Sequence, residues 1–263
     1  MHLLELKQEL KKIVDLNTAR NIIMQYLNID LLEYSAFSKE LSNKECRDIF
    51  KIAALYKKNI PLQYIFQHTY INDMLFYCKK GVLIPREDTQ ILINASIEFA
   101  RDKNINNILE IGFGSAIISI ILSLNLKAKI DACDINKKAL SLAKKNALLH
   151  KANVNFFIED YKNVDFSKYD FIVSNPPYIA NDYKLDEFVL KEPKEALFGG
   201  ELGSEILFDI INKAAINKVK FLACEFGYDQ KDILKKHLES KGYKAIFFKD
   251  LSSYYRAFVA ERI

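Results

Sequence analysis

The chain is poor in the residues that interrupt regular structure and in the patterns that bind metals. Its 263 residues include only 8 glycines and 5 prolines, which excludes collagen-like, low-complexity and linker-dominated chains. The 4 cysteines form no CxxC pair, and the 4 histidines form no HxxxH or HExxH pattern. We therefore expect no metal site and four reduced thiols, which fit a cytoplasmic protein.

Long apolar runs and an excess of one charge are also missing. The most apolar stretch, residues 117–126, has about half the length of a membrane span and contains Ser119, Ser123 and Asn125. It is predicted to be a buried helix, and the N-terminus lacks the apolar core of a signal peptide. A net charge of +4 gives no indication of nucleic-acid binding. Hydrophobic residues make up 50% of the chain, enough to exclude a disordered protein.

Residues 1–60 predict a small helical domain. Apolar side chains recur at helical spacing in three patterns, and Asn17-Thr18 is the expected N-cap of the second. The third pattern begins near Ser38, and Pro61, the first proline of the chain, is expected to end it.

Residues 61–86 predict a β-hairpin linker. The segment contains β-forming residues, beginning with Tyr64-Ile65-Phe66, and Asn72-Asp73 is a typical turn pair. The remainder, residues 87–263, is treated as the next domain.

Residues 87–263 alternate between strand and helix patterns. Strands are expected at residues 108–111, 129–133, 154–158, 169–173, 219–225, 244–249 and 255–260. Helices are expected at residues 88–100, 115–124, 137–150, 205–215 and 229–240. This alternation predicts an α/β fold with a doubly wound, mostly parallel seven-stranded sheet and a C-terminal antiparallel hairpin, preceded by the small all-helical domain. Such sheets bind ligands beyond the carboxyl ends of their strands.

The first candidate site is Glu110-Ile-Gly112-Phe-Gly114-Ser-Ala116, between the first strand and the helix after it. Glycines here permit a tight turn and a close approach of the backbone to a ligand. Asp134 ends the next strand, where a carboxylate can bind both hydroxyls of a ribose. A dinucleotide is disfavoured because Ile117 stands where GxGxxG needs its third glycine, and ATP because no Gly-Lys-Ser/Thr occurs.

The second candidate site is Asn175-Pro176-Pro177-Tyr178, which follows the fourth strand. A planar NH₂ group is a poor nucleophile because its lone pair is delocalised. The side-chain carbonyl of Asn175 and the rigidly held backbone carbonyl of Pro176 can each accept one of its N–H groups. They would hold the nitrogen in line with a sulfonium methyl, while Tyr178 covers the planar face of the substrate. No strong base is needed, so the rate would come from positioning and electrostatics.

These motifs resemble those of the peptide chain release factor glutamine methyltransferases. The glycine loop is similar to motif I of the class I S-adenosylmethionine methyltransferases, with Ala116 in place of the usual third glycine. The Asn-Pro-Pro-Tyr motif is shared with adenine-N(6) DNA methyltransferases, so it does not by itself distinguish a protein substrate from a nucleic acid. Other segments of the chain resemble the release factor family specifically. They are Pro61-Leu-Gln-Tyr-Ile65, Val82-Leu-Ile-Pro-Arg86, Glu192-Pro193-x-x-Ala196-Leu197 with Gly199-Gly200, Cys224-Glu-Phe-Gly227 with Gln230, and Asp250 and Arg256.

The resemblance implies a class I methyltransferase fold, S-adenosylmethionine as cofactor, and methylation of the glutamine amide in the Gly-Gly-Gln motif of release factors. It implies that Asn175, Pro176 and Tyr178 are catalytic and bind the substrate together with Pro177. Arg86 is expected near the cofactor and the domain interface. The implied cofactor-binding residues are Gly112, Phe113, Gly114, Ser115, Ala116, Asp134, Tyr161 and Asn175.

Some positions depart from the family pattern, and two other functions stay open. Besides Ala116, Gln90 replaces a carboxylate in the run Glu87-Asp88-Thr89-Gln90, Lys191 replaces an aromatic residue, and a Pro-Gly-Gly turn is missing. One alternative is an adenine-N(6) nucleic-acid methyltransferase, which should have a basic groove and a target-recognition domain. The other is a non-catalytic protein that binds release factors or ribosomes. We expect residues 1–60 to dock the release factor, and the chain to act as a monomer without direct contact to nucleic acid or membrane.

Overall fold

The computed structural model describes all residues 1–263 and divides the chain into two compact units. The first unit comprises Met1–His68 together with Leu185–Lys191. The second comprises Thr69–Lys184 and Glu192–Ile263. The short segment Leu185–Lys191 therefore belongs to the helical unit, although it lies more than a hundred residues further along the chain, and no pattern in the sequence indicates this.

The first unit is helical, as predicted. Its helices are α1 (Leu3–Leu10), α2 (Leu16–Leu27), α3 (Leu31–Ser35), α4 (Asn43–Tyr56) and α5 (Leu62–Phe66). The N-cap of α2 is Asp15, whose carboxylate accepts the backbone N–H groups of Asn17 and Thr18 at 2.9 and 3.0 Å. The predicted cap at Asn17-Thr18 was therefore wrong, because the carboxylate two residues earlier satisfies the free N–H groups of the first turn.

The first unit also contains the segment Leu185–Lys191, which packs against the end of α4. The rings of Tyr56 and Phe188 lie 4.6 Å apart, and the Asn59 side-chain amide donates a hydrogen bond to Glu187. Helix α5 corrects the prediction of a strand at Tyr64-Ile65-Phe66. The backbone N–H of Tyr64 bonds to the Pro61 carbonyl at 3.0 Å, so a proline-started turn overrides the β-propensity of these side chains.

The predicted hairpin is present and shorter than the linker assigned to it. Strands β1 (His68–Ile71) and β2 (Met74–Tyr77) are joined by Asn72 and Asp73. Both turn residues have positive φ, 46° and 59°, which is the conformation that a tight two-residue hairpin turn requires.

The second unit contains the predicted seven-stranded sheet. Its elements in chain order are α6 (Thr89–Ala100), β3 (Asn107–Ile111), α7 (Ile117–Asn125), β4 (Lys129–Asp134), α8 (Lys137–His150), β5 (Asn155–Ile158), β6 (Phe171–Ser174), β7 (Ile179–Ala180), β8 (Phe198–Gly200), α9 (Glu205–Ile216), β9 (Phe221–Glu225), α10 (Lys231–Ser240), β10 (Tyr243–Lys249) and β11 (Tyr255–Arg262). The short parallel pair β7–β8 was not predicted.

The sheet has the order β10-β11-β9-β6-β3-β4-β5, and only β11 runs antiparallel to its neighbours. This confirms the doubly wound topology and the C-terminal antiparallel hairpin. The central strands β6 and β9 are buried along their whole length, as parallel strands covered on both faces must be. Two apolar clusters form the core, one including α7 and α8 and the other α9 and α10.

The strand order reverses between β3 and β6, since the chain leaves β3 towards β4 and returns to β6 on the other side. Ligands bind at the carboxyl ends of the strands at such a switch point. Both sequence-predicted motifs follow these two strands. None of the ten α-helices is both long and apolar enough to span a membrane.

Candidate active site

A cavity of about 310 Å³ opens at the carboxyl ends of β3, β4 and β6. This volume falls in the usual range for small-molecule sites, about 300–1,000 Å³. The predicted site residues that line it are Arg86, Gly112, Phe113, Gly114, Ser115, Asp134, Tyr161, Asn175, Pro176 and Pro177. The switch point thus brings together residues that are predicted to bind the cofactor and residues that are predicted to bind the substrate. Ala116 and Tyr178 are the two predicted residues that do not line the cavity.

The glycine loop takes the conformation that its sequence predicts. Gly112 and Gly114 have φ of 74° and 48°, in the left-handed region where glycine carries no steric penalty. The backbone N–H of Gly112 bonds to the Cys133 carbonyl at 2.8 Å, which ties the loop to the end of β4.

Ala116 also lies in the left-handed region, with φ of 67°, and its side chain is completely buried in the core. Its methyl group therefore does not line the cavity, and its place among the cofactor-binding residues stays a prediction. The effect of alanine in place of the usual glycine is instead to strain the backbone, because a non-glycine residue is disfavoured in this conformation.

Asp134 is fixed by the backbone of both neighbouring loops. Its Oδ2 accepts the N–H of Gly114 at 2.8 Å, and its Oδ1 accepts the N–H of Asn136 at 2.7 Å. A carboxylate offers about four acceptor positions, so further hydroxyl groups can still bind. Burial raises the pKa of Asp134, while these two backbone hydrogen bonds act to lower it.

Glu110 is a second carboxyl group in the cavity wall. It is almost completely buried and accepts the backbone N–H of Ser119 at 3.0 Å. Burial raises its pKa to about 8. The wall also contains Glu159, Asp160 and Glu195, so acidic groups outnumber the basic ones, Arg86 and Lys162. Such a lining favours a ligand that carries positive charge.

The Asn-Pro-Pro-Tyr loop is oriented by hydrogen bonds from several elements. The Asn175 amide nitrogen donates to the Thr89 hydroxyl at 3.0 Å, which leaves its Oδ1 as the free acceptor. The Tyr178 hydroxyl donates to Glu225 Oε1 at 3.0 Å, and the Tyr178 carbonyl accepts from the Gln230 amide at 2.9 Å. Tyr178 is thereby held at both ends.

The C-terminal motif residues support this loop. Glu225 ends β9, is almost completely buried, and has a pKa raised to about 7 by burial. Gln230 accepts the Gly227 N–H at 2.9 Å while its amide holds Tyr178. Arg256 pairs with Asp250 at 2.8 Å.

The segment after the motif contributes Pro193, Glu195 and Ala196 to the cavity wall. Glu192 is buried, forms an ion pair with Arg86 and accepts the Ile84 N–H at 2.9 Å. A Cβ atom at Gly199 would lie 2.5 Å from the Pro177 carbonyl oxygen. The glycine is therefore required by the close approach of β8 to the motif loop.

Other predicted positions have simpler roles. The Tyr161 hydroxyl donates to Asp209 at 2.6 Å, and burial raises its pKa. Gln90 donates to Glu87 at 3.0 Å, and neither Gln90 nor Lys191 lines the cavity. These two departures from the family pattern thus leave the cavity wall unchanged.

Sequence reasoning missed Thr89 and Asn136 as site residues, although both line the cavity. Thr89 occupies the first position of α6 within a run already singled out for its carboxylates, and its hydroxyl contacts Asn175. Asn136 follows Asp134 by two residues and caps α8, which is the sequence signal that could have identified it.

Comparison with known proteins agrees with this geometry. The family model of the Methyltransferase small domain matches residues 87–204. A release factor glutamine methyltransferase of Aquifex aeolicus is 35% identical over 235 residues, which cover 86% of this chain and 83% of that protein. One of Fusobacterium nucleatum is 37% identical over 250 residues, which cover 90% of this chain and 70% of that protein.

Among solved structures, the hMettl16 catalytic domain in complex with MAT2A 3′UTR hairpin 6 has a TM-score of 0.58 and 16% sequence identity. The match covers 96% of this chain and 94% of that chain. At this identity the likeness shows a shared methyltransferase fold and carries no statement about substrate.

Proposed function

The chain belongs to the release factor glutamine methyltransferase family, and we propose that it methylates the side-chain amide nitrogen of the glutamine in the Gly-Gly-Gln motif of peptide chain release factors. The methyl donor is S-adenosylmethionine. One observation carries the proposal: the Asn-Pro-Pro-Tyr loop forms a wall of the same cavity as the glycine loop and Asp134. The methyl donor and the acceptor amide can therefore meet in one place.

The cavity residues fit S-adenosylmethionine. We propose that Asp134 accepts hydrogen bonds from the ribose hydroxyls, because its two backbone bonds leave acceptor positions open. Gly112 and Gly114 allow the backbone to approach the ligand, and Tyr161 offers an aromatic face in the wall. When bound, this cofactor supplies a methyl group made electrophilic by its positively charged sulfur, and the acidic lining complements that charge.

On the substrate side, we propose that Asn175 Oδ1 and the Pro176 carbonyl accept the two N–H groups of the glutamine amide. These bonds hold the nitrogen in place and favour the pyramidal geometry in which its lone pair is available. The nitrogen held in this way would accept the methyl group that the cofactor supplies, the sulfur would leave as a neutral thioether, and the positively charged nitrogen would lose a proton to water. Positioning and electrostatics supply the rate enhancement, so no side chain has to act as a strong base.

The helical unit is proposed to dock the release factor. It has its own apolar core, and α3 exposes two adjacent leucines, Leu31 and Leu32. Exposed apolar side chains beside each other are a common feature of protein-binding surfaces. We propose that the protein acts as a cytoplasmic monomer without direct contact to nucleic acid, which fits its four free cysteines and its small net charge.

The proposal is tested by incubating the purified protein with methyl-labelled S-adenosylmethionine and a release factor. A matched release factor with the Gly-Gly-Gln glutamine replaced serves as the control. Label on the intact factor alone supports the proposal. Label on neither, with cofactor binding intact, contradicts it and directs the test to DNA or another amine substrate.

A further inference from the structure

We infer that Thr89, held by Glu225, is the positioning residue that fixes which end of the Asn175 amide faces the substrate. The inference rests on the proposed function, since it concerns the atom that Asn175 offers to the glutamine amide. It adds two residues, from α6 and β9, to the machinery of the Asn-Pro-Pro-Tyr loop.

The Asn175 side-chain amide can take two orientations of nearly the same shape. The oxygen and the NH₂ group of an asparagine side chain are nearly equal in size but opposite in hydrogen-bonding character. Only the oxygen of Asn175 can accept an N–H from the substrate. If the Asn175 side chain were flipped, its NH₂ group would face the NH₂ group of the substrate amide. The oxygen acceptor would then be lost, although the shape of the site would not change.

The structure contains a partner that distinguishes the two ends. Asn175 Nδ2 lies 3.0 Å from Thr89 Oγ1, and Thr89 is only 2% exposed, so water does not compete for this contact. A hydroxyl group can either accept or donate, however. Thr89 selects the Asn175 nitrogen only if its own proton is engaged elsewhere.

Glu225 is the acceptor that we infer for the Thr89 hydroxyl group. Thr89 and Tyr178 both lie close enough to the Glu225 carboxyl group to lower its pKa. Tyr178 donates to Oε1 at 3.0 Å, while Oε2 is buried and has no hydrogen-bond partner, so it is the free acceptor beside Thr89. In its ionised form the Glu225 carboxylate can only accept, so its Oε2 accepts the Thr89 hydroxyl hydrogen and leaves the Thr89 oxygen lone pair for Asn175.

The resulting order of donors is fixed in one direction. Asn175 donates to Thr89 and Tyr178 donates to Glu225 Oε1, while in the inferred network Thr89 donates to the unpartnered Glu225 Oε2. The charged groups that act on Glu225 are Arg256, which favours its ionised form, and Asp88, which opposes it. The network thus joins the first residue of α6 to the carboxyl ends of β6 and β9.

The test compares Thr89→Val with Thr89→Ser. Valine keeps the shape and removes the hydroxyl group, so we expect kcat to fall by roughly 10-fold or more, the worth of one buried hydrogen bond. The KM for the release factor and the Kd of S-adenosylmethionine should change little. Serine restores the hydroxyl group and should restore most of kcat. Ser96→Ala, in the same helix, removes a buried hydroxyl group without a hydrogen-bond partner and should keep the wild-type kcat.

Glu225→Gln is the second variant, in case Thr89→Val does not fold. Glutamine fills the same volume but can donate as well as accept, so the direction of the network is lost and kcat should fall while the cofactor Kd is kept. Wild-type kcat in a folded Thr89→Val or Glu225→Gln protein overturns the inference. An inactive wild-type protein would instead contradict the proposed function, so the two failures are distinguishable.

Discussion

The backbone N–H of Gly114 donates a 2.8 Å hydrogen bond to Asp134 Oδ2. This bond joins the glycine loop after β3 to the carboxylate at the end of β4, two motifs separated by 20 residues. The carboxylate therefore has a fixed orientation before any ligand binds. A preorganised acceptor loses little conformational freedom on binding, which strengthens its contribution to affinity.

Asp134→Asn should weaken binding of S-adenosylmethionine. Loss of charge-assisted hydrogen bonds to the ribose is expected to weaken the binding free energy by about 1–3 kcal/mol. Isothermal titration calorimetry measures this change through the Kd. Asp131→Asn is the matched control, because Asp131 lies on the same strand and does not line the cavity. An unchanged Kd for Asp134→Asn would remove Asp134 from the cofactor site.

Asn175→Ala should abolish turnover while the cofactor still binds. Removing one preorganised group that acts on the reacting atoms typically costs about 10²–10³ in kcat. Asn155→Ala, at the edge strand β5, is the control and should have normal kinetics. Near-normal turnover by Asn175→Ala in the label-transfer assay would show that the proposed mechanism is wrong.

Ala116→Gly should stabilise the protein or leave it unchanged, and should not weaken cofactor binding. Glycine relieves the strain of a left-handed backbone, worth about 1–2 kcal/mol, although it loses more entropy on folding and gives up a buried methyl group. Urea denaturation measures the change in the free energy of unfolding. A clear loss of cofactor affinity would contradict the finding that the Ala116 side chain is directed into the core.

Burial of Glu110 should make stability depend on pH. Its pKa rises to about 8 in the folded protein from an ordinary value of 4.5, so folding favours the protonated form. Its contribution is fully present below about pH 4.5 and is lost as the pH rises through about 8, by up to a few kcal/mol. Glu110→Gln should reduce this pH dependence in denaturation measured at about pH 5 and about pH 8. An unchanged profile would mean that Glu110 stays ionised in the fold.

Substituting Leu31 and Leu32 by serine should weaken binding of the release factor. These side chains are 54% and 80% exposed on α3, so their loss should leave the fold intact. The Kd of S-adenosylmethionine should not change. Leu148→Ser is the matched control, since Leu148 is 81% exposed on α8 of the other unit. Equal effects of the control and the double variant on release factor binding would contradict docking at α3.

The sequence allowed most of the sheet to be predicted, because buried parallel strands and the helices between them have distinct periodicities. It allowed the glycine loop, Asp134 and Asn175 to be placed in one site, because parallel strands bring their carboxyl ends together. Helix α5 was missed because the turn started by Pro61 overrides the β-propensity of Tyr64-Ile65-Phe66. The contact of Phe188 with Tyr56 and the bond from Asn175 to Thr89 join residues far apart in the chain, which local patterns do not reveal.

The most direct test is to locate the methyl group on the release factor after reaction with S-adenosylmethionine, using mass spectrometry of the peptide that contains the Gly-Gly-Gln motif. The account predicts one added methyl group on the glutamine side-chain nitrogen with the wild-type protein, and none with Asn175→Ala. A methyl group on another residue, or an unmodified peptide from an active and cofactor-bound protein, would contradict it.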